Sequence, residues 1–215
     1  RSSAIKSSSD LDFLAVLARN EAKWAGSFVK SDTVINKVSQ DLNNRFVSTT
    51  VRKDMQAVVL HFGRGQKSLD VVPGIFHEMK NKRPVYLIPD GYGGWMETSP
   101  EAHNSFINRE NIQSGEKLKK VGQLIRFWKY TRVNPIPISS FYIDLFLADS
   151  KICNGAKSYP VIMYEFLKLM YDRKCRGFRD PLGIAGVINA AKTQSQVNTL
   201  YSQIESSLDH AVKAI

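Results

Sequence analysis

Cysteine is scarce in this chain: among 215 residues there are two, Cys153 and Cys175. Their separation matches no metal-ligand spacing such as C-x-x-C. The four histidines form no metal-binding spacing either. We therefore expect two reduced, partly buried thiols, as is typical of a protein of the cytoplasm.

Long apolar runs and phosphate-binding signatures are also lacking. No stretch approaches the roughly 20 apolar residues that span a membrane, and nothing resembles a secretion signal, so we expect a cytoplasmic protein without a membrane partner. No G-x-x-x-x-G-K-[ST] motif occurs, which excludes the P-loop way of holding phosphates. The chain begins at Arg1 instead of Met, and we expect its natural beginning to be missing.

Positive charge, in contrast, is abundant. The chain has 30 Lys and Arg against 20 Asp and Glu, which gives a net charge of +10. This balance fits a polyanionic partner such as a nucleic acid or a nucleoside triphosphate. It fits simple solubility equally well, so composition leaves both interpretations open.

The first half of the chain alternates strand-like and helical patterns. "DLDFLAVL" is apolar on both faces and predicts a strand in the centre of a sheet. "SDTVINKVSQDLNNRF" predicts an amphipathic helix with Ser31 as its N-cap. "MQAVVLHF" and "SLDVVPGIF" predict two strands joined by a hairpin turn at "GRGQK", and "RPVYLIPDG" predicts another strand. Tyr92 to about Gly115 has the composition of a loop.

The second half is helical in pattern. Four segments predict helices: "GEKLKKVGQLIRFWKYTRV", "SSFYIDLFLAD", "YPVIMYEFLKLMYDRK" and "TQSQVNTLYSQIESSLDHAVKAI". Strands with a helix followed by helices indicate an α/β (α+β) fold, with an α/β lobe at residues 1–110 and a helical lobe at residues 111–215.

Two carboxylates precede the first apolar run. Asp10 and Asp12 are two residues apart, so on a strand both point to the same face. Like charges so close repel each other unless a cation lies between them, and Mg²⁺ is the usual cation for carboxylate ligands. A helix cap or a solvated strand end would explain the pair as well. Asp70, alone among apolar residues of a later strand, would complete a set of three carboxylates able to hold two Mg²⁺ for phosphoryl or nucleotidyl transfer.

Several motifs together resemble a known family. "SAIKSSSDLDFLAVL", then "LDVVPG", then "YLIPDGYGGWMETSPEAH" resemble the DNA polymerase β-type nucleotidyltransferases, and most closely their cGAS/DncV-like branch, the CD-NTases. "LIRFWKYTRVNPIPISSFYIDLFL" and "FRDPLGIAGVINAAKT" are similar to the helical lobe of that branch. The resemblance covers essentially the whole chain. It implies a mixed-sheet lobe, a helical lobe and an active-site cleft between them.

The resemblance also implies an activity and its residues. Asp10, Asp12 and Asp70 would be the catalytic and metal-binding residues and hold two Mg²⁺, while ATP and other nucleoside triphosphates are joined into a cyclic di- or trinucleotide for bacterial antiphage signalling. Lys129 would contact the β- and γ-phosphates, Ser140 would donate a hydrogen bond to the triphosphate, and Phe141 would stack on a base. Judged without the family, Lys129 would belong to a solvated basic face and Phe141 to the core.

One part of the family pattern is absent. The family carries a Gly-Ser turn shortly before its D-x-D motif, and the spacing places that turn just before Arg1. Ser2-Ser3-Ala4-Ile5 stands where the family often has Gly-Thr-Ala-Ile. The hypothesis is that the chain begins inside the fold. The segment "PDGYGGWMETSP" is predicted to form a mobile active-site rim, in which Tyr92 and Trp95 offer stacking surfaces and which His103 follows closely.

Two alternatives remain beside the cyclic product. The same machinery could make a linear 2′-5′ oligonucleotide or extend an RNA end, or the chain could be a non-catalytic module that binds nucleotides or RNA. A regulatory protein partner is compatible with the resemblance, and a nucleic-acid activator is permitted but not required.

Overall fold

The computed structural model describes residues 11–63, 68–131 and 134–212. Asp10, the Ser2–Ile5 segment and most of the predicted "GRGQK" turn lie outside these residues. Within the described chain, residues up to Glu101 form one compact unit and residues from Ala102 onwards form another. The fold is a mixed α/β arrangement, as the sequence predicts.

The first unit is built on a six-stranded sheet. Its strands are β1 (Leu11–Leu17), β4 (Thr50–Asp54), β5 (Ala57–His61), β6 (Leu69–Lys80), β7 (Arg83–Pro89) and β8 (Trp95–Thr98). The order is β4-β5-β6-β7-β8, with every neighbouring pair antiparallel, and β1 pairs with β6 in parallel. Two short strands, β2 (Lys23–Trp24) and β3 (Ser27–Phe28), form a separate pair after a 3₁₀ turn at Arg19–Ala22.

Strand β1 forms where it is predicted, but its burial differs from the prediction. Among the described strands it pairs with β6 alone. Phe13 and Val16 are 56% and 52% exposed. The prediction of a central strand buried on both faces is therefore wrong, because an apolar run reports the composition of a strand and not its position in the sheet order.

Helix α1 (Ser31–Arg45) packs on this sheet through Val34 and Ile35, which are buried. Its N-cap is Lys30, without a capping side chain, and Ser31 is the first helical residue. The prediction of Ser31 as N-cap is wrong by one position. The buried Ser31 hydroxyl has no hydrogen-bond partner in the described chain.

The segment from Tyr92 to Gly115 is not a loop, contrary to the prediction. It contains β8 and helix α2 (Pro100–Gln113). The buried face of α2 carries His103, Glu110 and Asn111 beside two apolar residues. A helix that buries polar side chains has no clear apolar period, which is why the pattern did not reveal it.

The second unit is helical, as predicted. It contains α2, α3 (Lys117–Tyr130), α4 (Ser140–Ser150), α5 (Tyr159–Asp172), α6 (Gln194–Val212) and the short antiparallel pair β9 (Phe178–Arg179) and β10 (Val187–Ile188). Helix α4 lies in its core with Tyr142 and Phe146 fully buried, and these two rings stack at 5.4 Å. None of the described helices is long and apolar enough to cross a membrane.

The two cysteines lie in this helical core. Both are free and buried. Burial raises the pKa of the Cys153 thiol to about 11 and that of Cys175 to about 12. At neutral pH both are therefore protonated thiols with little nucleophilic character.

Candidate functional site

Two of the predicted catalytic carboxylates are neighbours on the sheet. Asp12 of β1 lies at the same register position as Asp70 of β6 in the parallel pair. Residues paired in this way direct their side chains to the same face, about 4.8 Å apart along the hydrogen-bonding direction. Asp12 is exposed and Asp70 is half-buried, so a cation from solvent can reach both carboxylates.

A glycine makes room on the face of the sheet that carries these carboxylates. Gly74 shares this face with Asp70, and Leu14 shares it with Asp12. A Cβ added at Gly74 would lie 2.6 Å from Cδ1 of Leu14, so the missing side chain leaves space for Leu14. Ile75, the next residue, is buried in a small cluster with Ala22 and Val34, which fixes β6 against the body of the unit.

The third predicted carboxylate, Asp10, lies outside the described residues. Within residues 11–63, 68–131 and 134–212, no group of three or more His, Cys, Asp or Glu has a metal-binding arrangement. Asp12 and Asp70 supply hard oxygen ligands of the kind that Mg²⁺ prefers. The described carboxylates thus fit a magnesium site, and the three-carboxylate set stays a prediction.

The predicted rim of the site is an ordered turn. The carboxylate of Asp90 accepts hydrogen bonds from the backbone N–H of Tyr92 at 2.7 Å and of Gly94 at 2.9 Å. Gly91 and Gly93 have φ angles of +86° and +89°, so glycine is needed here for backbone shape. The segment forms a turn closed by these hydrogen bonds, and Tyr92 extends from it with 80% of its surface exposed.

Trp95 is fixed in place. Its indole N–H donates to the carbonyl of Val29 at 2.9 Å, and its ring packs against Phe28 at 6.0 Å. Of the two aromatic residues that we expected to offer stacking surfaces, Tyr92 is thus freely available and Trp95 anchors the turn to the sheet unit.

Lys129, the predicted phosphate ligand, lies in the last turn of α3. Its ammonium donates to the carbonyl of Ile138 at 2.8 Å and contacts the Tyr130 ring at 4.9 Å. Burial, followed by the nearby positive charge of Arg126, lowers the pKa of Lys129 below its ordinary value. Among the described residues no carboxylate pairs with this half-buried ammonium, and a phosphate beside it would favour its charged form.

Ser140 and Phe141 open helix α4. Ser139 is the N-cap, and its hydroxyl accepts from the N–H of Tyr142 at 3.4 Å. Ser140 is half-buried. Phe141 is 41% exposed and meets the ring of His103 edge-on, with centroids 5.1 Å apart. Phe141 thus has one supported side and one open side, unlike an ordinary core aromatic.

Two side-chain pairs support these residues, and sequence reasoning missed both. Arg126 donates to the carboxylate of Asp144 at 2.7 Å and to the carbonyl of Ser140 at 3.1 Å. Arg126 is buried, with 6% of its side chain exposed. The available signal was its spacing of four residues from Gly122 and eight from Leu118, which places it on the buried side of α3.

The second pair is His103 with Asp180, and its histidine ring contacts Phe141. His103 and Asp180 lie 3.0 Å apart, with 2% and 0% of their side chains exposed. Burial opposes ionisation of Asp180, but hydrogen bonds from His103 and from the backbone N–H groups of residues 182, 184 and 185 outweigh it and hold the pKa of Asp180 well below its usual range. The two residues are 77 positions apart, so no local motif could have revealed the pair.

Comparison with known proteins identifies the family. The family model described as "Second Messenger Oligonucleotide or Dinucleotide Synthetase domain" matches residues 1–111. A "probable cyclic nucleotide synthase" of Bacillus cereus (strain VD146) is 24% identical over 195 residues, which is 86% of this chain and 57% of that protein. The chain thus spans little more than half the length of this curated relative.

Solved structures share the fold. The Escherichia coli MS115-1 CdnC structure with ATP is 20% identical and has a TM-score of 0.69, covering 99% of this chain and 74% of its own. Vibrio cholerae DncV, a cyclic AMP-GMP synthase solved with a linear intermediate, is 11% identical with a TM-score of 0.70, covering 98% and 60%. Because the family model covers more than half of the sequence, the chain belongs to the Second Messenger Oligonucleotide or Dinucleotide Synthetase family, within the cGAS/DncV-like nucleotidyltransferases.

Proposed function

We propose that this protein is a nucleotidyltransferase that condenses nucleoside triphosphates into a cyclic di- or trinucleotide. The observation that carries the proposal is the pairing of Asp12 with Asp70 on one face of the sheet, in a chain of this family. An apolar sheet has no structural need for two adjacent carboxylates, whereas metal-assisted nucleotidyl transfer does.

The reaction joins a ribose hydroxyl to the α-phosphorus of a triphosphate. The bond from that phosphorus to the β-phosphate bridging oxygen breaks, pyrophosphate leaves, and the hydroxyl loses its proton. Asp10, Asp12 and Asp70 would hold two Mg²⁺, which supply charge neutralisation and lower the pKa of the hydroxyl. Asp70, half-buried beside Asp12, is suited to help remove the hydroxyl proton.

The helical unit offers groups that are suited to binding a nucleotide. Lys129 offers a half-buried ammonium with no carboxylate partner among the described residues, and a triphosphate would supply the opposite charge. Ser140 offers a hydroxyl at the start of α4, where helix N–H groups favour an anion. Phe141 offers the open side of its ring to a base, while His103 supports the ring from the protein side.

Substrates and partners follow from the relatives as part of this proposal. The solved CdnC and DncV structures were obtained with ATP and with a linear pppA-pG intermediate, so ATP is the first substrate to test. CdnC has also been solved in complex with a HORMA protein, which supports a regulatory protein partner. A role in bacterial antiphage signalling, in the cytoplasm, belongs to the same proposal.

The decisive experiment removes one carboxylate. Asp70→Asn keeps the shape of the side chain, and we expect pyrophosphate release from ATP and GTP with Mg²⁺ to fall about 10³-fold, the scale of losing transition-state charge stabilisation. Asp41→Asn is the matched control, since Asp41 is exposed on α1 of the same unit. Unchanged turnover in Asp70→Asn would refute the assignment.

Product analysis separates the proposal from its alternatives. Labelled products that resist phosphatase are cyclic, and products that lose their terminal phosphates are linear. A linear product would keep the enzyme class and replace the proposed product. No consumption of any triphosphate, with Mg²⁺ and a correctly folded protein, would support the non-catalytic module instead.

A further inference from the structure

The helical unit contains a cavity that none of the proposed catalytic residues lines. It has a volume of about 630 Å³ and opens beside the turn that follows α5, the β10 strand end and the first turns of α6. Cavities of 300–1,000 Å³ are the usual size of small-ligand sites. The volume is therefore sufficient for a nucleotide-sized molecule.

The charge of this cavity has one sign. Lys174 and Arg176 line it, and no Asp or Glu does. In the described chain no carboxylate lies within ion-pair distance of either side chain. A second hollow of about 350 Å³ shares both residues and adds Arg173. Its one acid, Asp172, is already paired with Lys168 at 3.0 Å, so the two hollows together leave positive charge without a counter-charge.

The backbone that carries these cations is held firmly. The N–H groups of Lys174 and Cys175 close the end of α5 by donating to Tyr171 and Met170 at 2.8 and 2.9 Å. The buried Tyr142 hydroxyl donates to the carbonyl of Arg176 at 3.1 Å. Lys174 and Cys175 both have positive φ angles, 51° and 53°, which costs energy for residues other than glycine. This strained turn fixes the backbone positions from which the side chains of Lys174 and Arg176 extend.

Neutral hydrogen-bonding groups also line the cavity. A Cβ on Gly177 would lie 2.6 Å from Oδ1 of Asn189, so the glycine leaves space for that amide at the cavity wall. The amide oxygen of Asn198 accepts from Gln194 at 3.0 Å. This hydrogen bond orients the Asn198 side chain and leaves its NH₂ group free to donate.

An aromatic surface completes the cavity. Tyr201 stacks on Tyr171 at 5.2 Å, with 17° between the ring planes, which holds Tyr201 in one orientation. The carboxylate of Glu205 accepts from the Tyr171 hydroxyl at 3.5 Å. Cations bind a phosphate, amides hydrogen-bond the edge of a base, and an aromatic ring stacks on its face. This cavity has all three kinds of group.

We propose that this cavity binds a nucleoside 5′-phosphate, with the phosphate at Lys174 and Arg176 and the base near Asn198 and Tyr201. The ligand could be a free mononucleotide or the 5′-phosphorylated end of a short oligonucleotide, which present the same chemistry. The cavity is also connected to the start of α4, because the carbonyl of Ala190 in its wall accepts from the N–H of Ser139 at 2.8 Å. A bound ligand would stiffen that connection.

Calorimetric titration in EDTA tests the binding without any turnover. We expect AMP to bind the wild-type protein, and Lys174→Gln/Arg176→Gln to weaken this binding at least about tenfold, as charge-assisted contacts are lost. Lys119→Gln/Lys120→Gln removes the same charge from α3 in the same unit and should bind AMP as the wild type does. Gly177→Ala, which displaces Asn189 without a charge change, should also weaken binding.

Several results would overturn the proposal. These are no binding of AMP to the wild type, equal loss in both double variants, or inorganic phosphate alone binding as tightly as AMP. If Lys129→Gln weakened AMP binding and Lys174→Gln/Arg176→Gln did not, AMP would bind at Lys129 and not in this cavity. Parallel titration with 5′-phosphorylated ApA identifies the source: tighter binding than AMP assigns the site to oligonucleotide ends, and equal or weaker binding assigns it to mononucleotides.

The effect on activity is a separate measurement that rests on the proposed function. If the protein condenses triphosphates, AMP should change the KM for ATP in the wild type and not in Lys174→Gln/Arg176→Gln. AMP binding without any condensation activity would leave the cavity assignment in place and remove the proposed function. The two failures are therefore distinguishable.

Discussion

At the scale of single residues, Asp180 shows how this fold accommodates a buried charge. Its carboxylate accepts hydrogen bonds from Leu182, Ile184 and Ala185 at 2.8–3.0 Å and pairs with His103. A buried carboxylate is tolerated when its lone pairs are satisfied in this way. The pair joins α2 to the loop after β9 and supports the ring of Phe141.

Asp180→Asn should destabilise the protein by about 3 kcal/mol at pH 7, because it leaves His103 and the loop N–H groups without their charged acceptor. Asp180 has a pKa below its ordinary value of 3.8. Its contribution to stability is therefore fully present above that value and lost as the pH falls through the lower, folded-state pKa. The difference between wild type and variant should be constant above about pH 5 and shrink in more acidic solution.

Urea unfolding at pH 7 and at about pH 3, below the ordinary carboxyl pKa of 3.8, measures this difference. Asp209→Asn, which neutralises an exposed acid on α6, should change stability by less than about 0.5 kcal/mol. An Asp180→Asn variant as stable as the wild type at pH 7 would contradict the role given to the pair.

At the scale of secondary-structure elements, helix α4 begins with two serines. Ser139 caps the helix, whereas the proposed function gives Ser140 a contact with a phosphate. Ser139→Ala should lower the free energy of unfolding by about 1 kcal/mol through loss of the cap. Ser140→Ala should leave stability nearly unchanged and, under the proposed function, raise the KM for ATP roughly tenfold.

Denaturant unfolding and steady-state kinetics on the same two variants separate these tasks. The neighbours differ by one position and undergo the same chemical change, so each is the control for the other. The assignment would fail if Ser140→Ala destabilised the helix while Ser139→Ala altered only the KM.

Elements with a clear apolar period were predictable, and those stabilised by polar contacts were not. Helices α1, α3, α5 and α6 and strands β5 to β7 follow their sequence patterns closely, and α4 was predictable because it is apolar on nearly every side. Helix α2 was missed because it buries His103, Glu110 and Asn111. Pro100 at its first position, followed by Glu101, was the available signal, since proline is favoured at helix starts.

In the candidate site, too, some features were predictable from the sequence and others were not. The D-x-D pattern and the lone Asp70 predicted neighbouring carboxylates, and the register of β1 with β6 places Asp12 beside Asp70. The pairs Arg126–Asp144 and His103–Asp180 join residues 18 and 77 positions apart. Single-sequence patterns report periodicity along one element, so they carry no information on such pairings.

At the scale of the whole molecule, the two units differ in how much apolar surface they bury. The helical unit contains one continuous core that extends from Phe106 to Ile204. The sheet unit has a small cluster of three buried residues around Ile75, with further buried residues on β5. Stability is rarely uniform in such a chain, and compact units with their own cores often open separately.

Two matched core substitutions test whether the units unfold separately. Phe146→Ala in α4 removes a fully buried ring and should cost about 4 kcal/mol, and Leu60→Ala in β5 should cost about 3 kcal/mol. Native-state hydrogen exchange, read by mass spectrometry, should show faster exchange in α4 and α5 for the first variant and in β5 to β7 for the second. Each variant is the control for the other, because each removes core volume from one unit alone. If either substitution accelerated exchange equally in both units, the described chain would unfold as a single cooperative body.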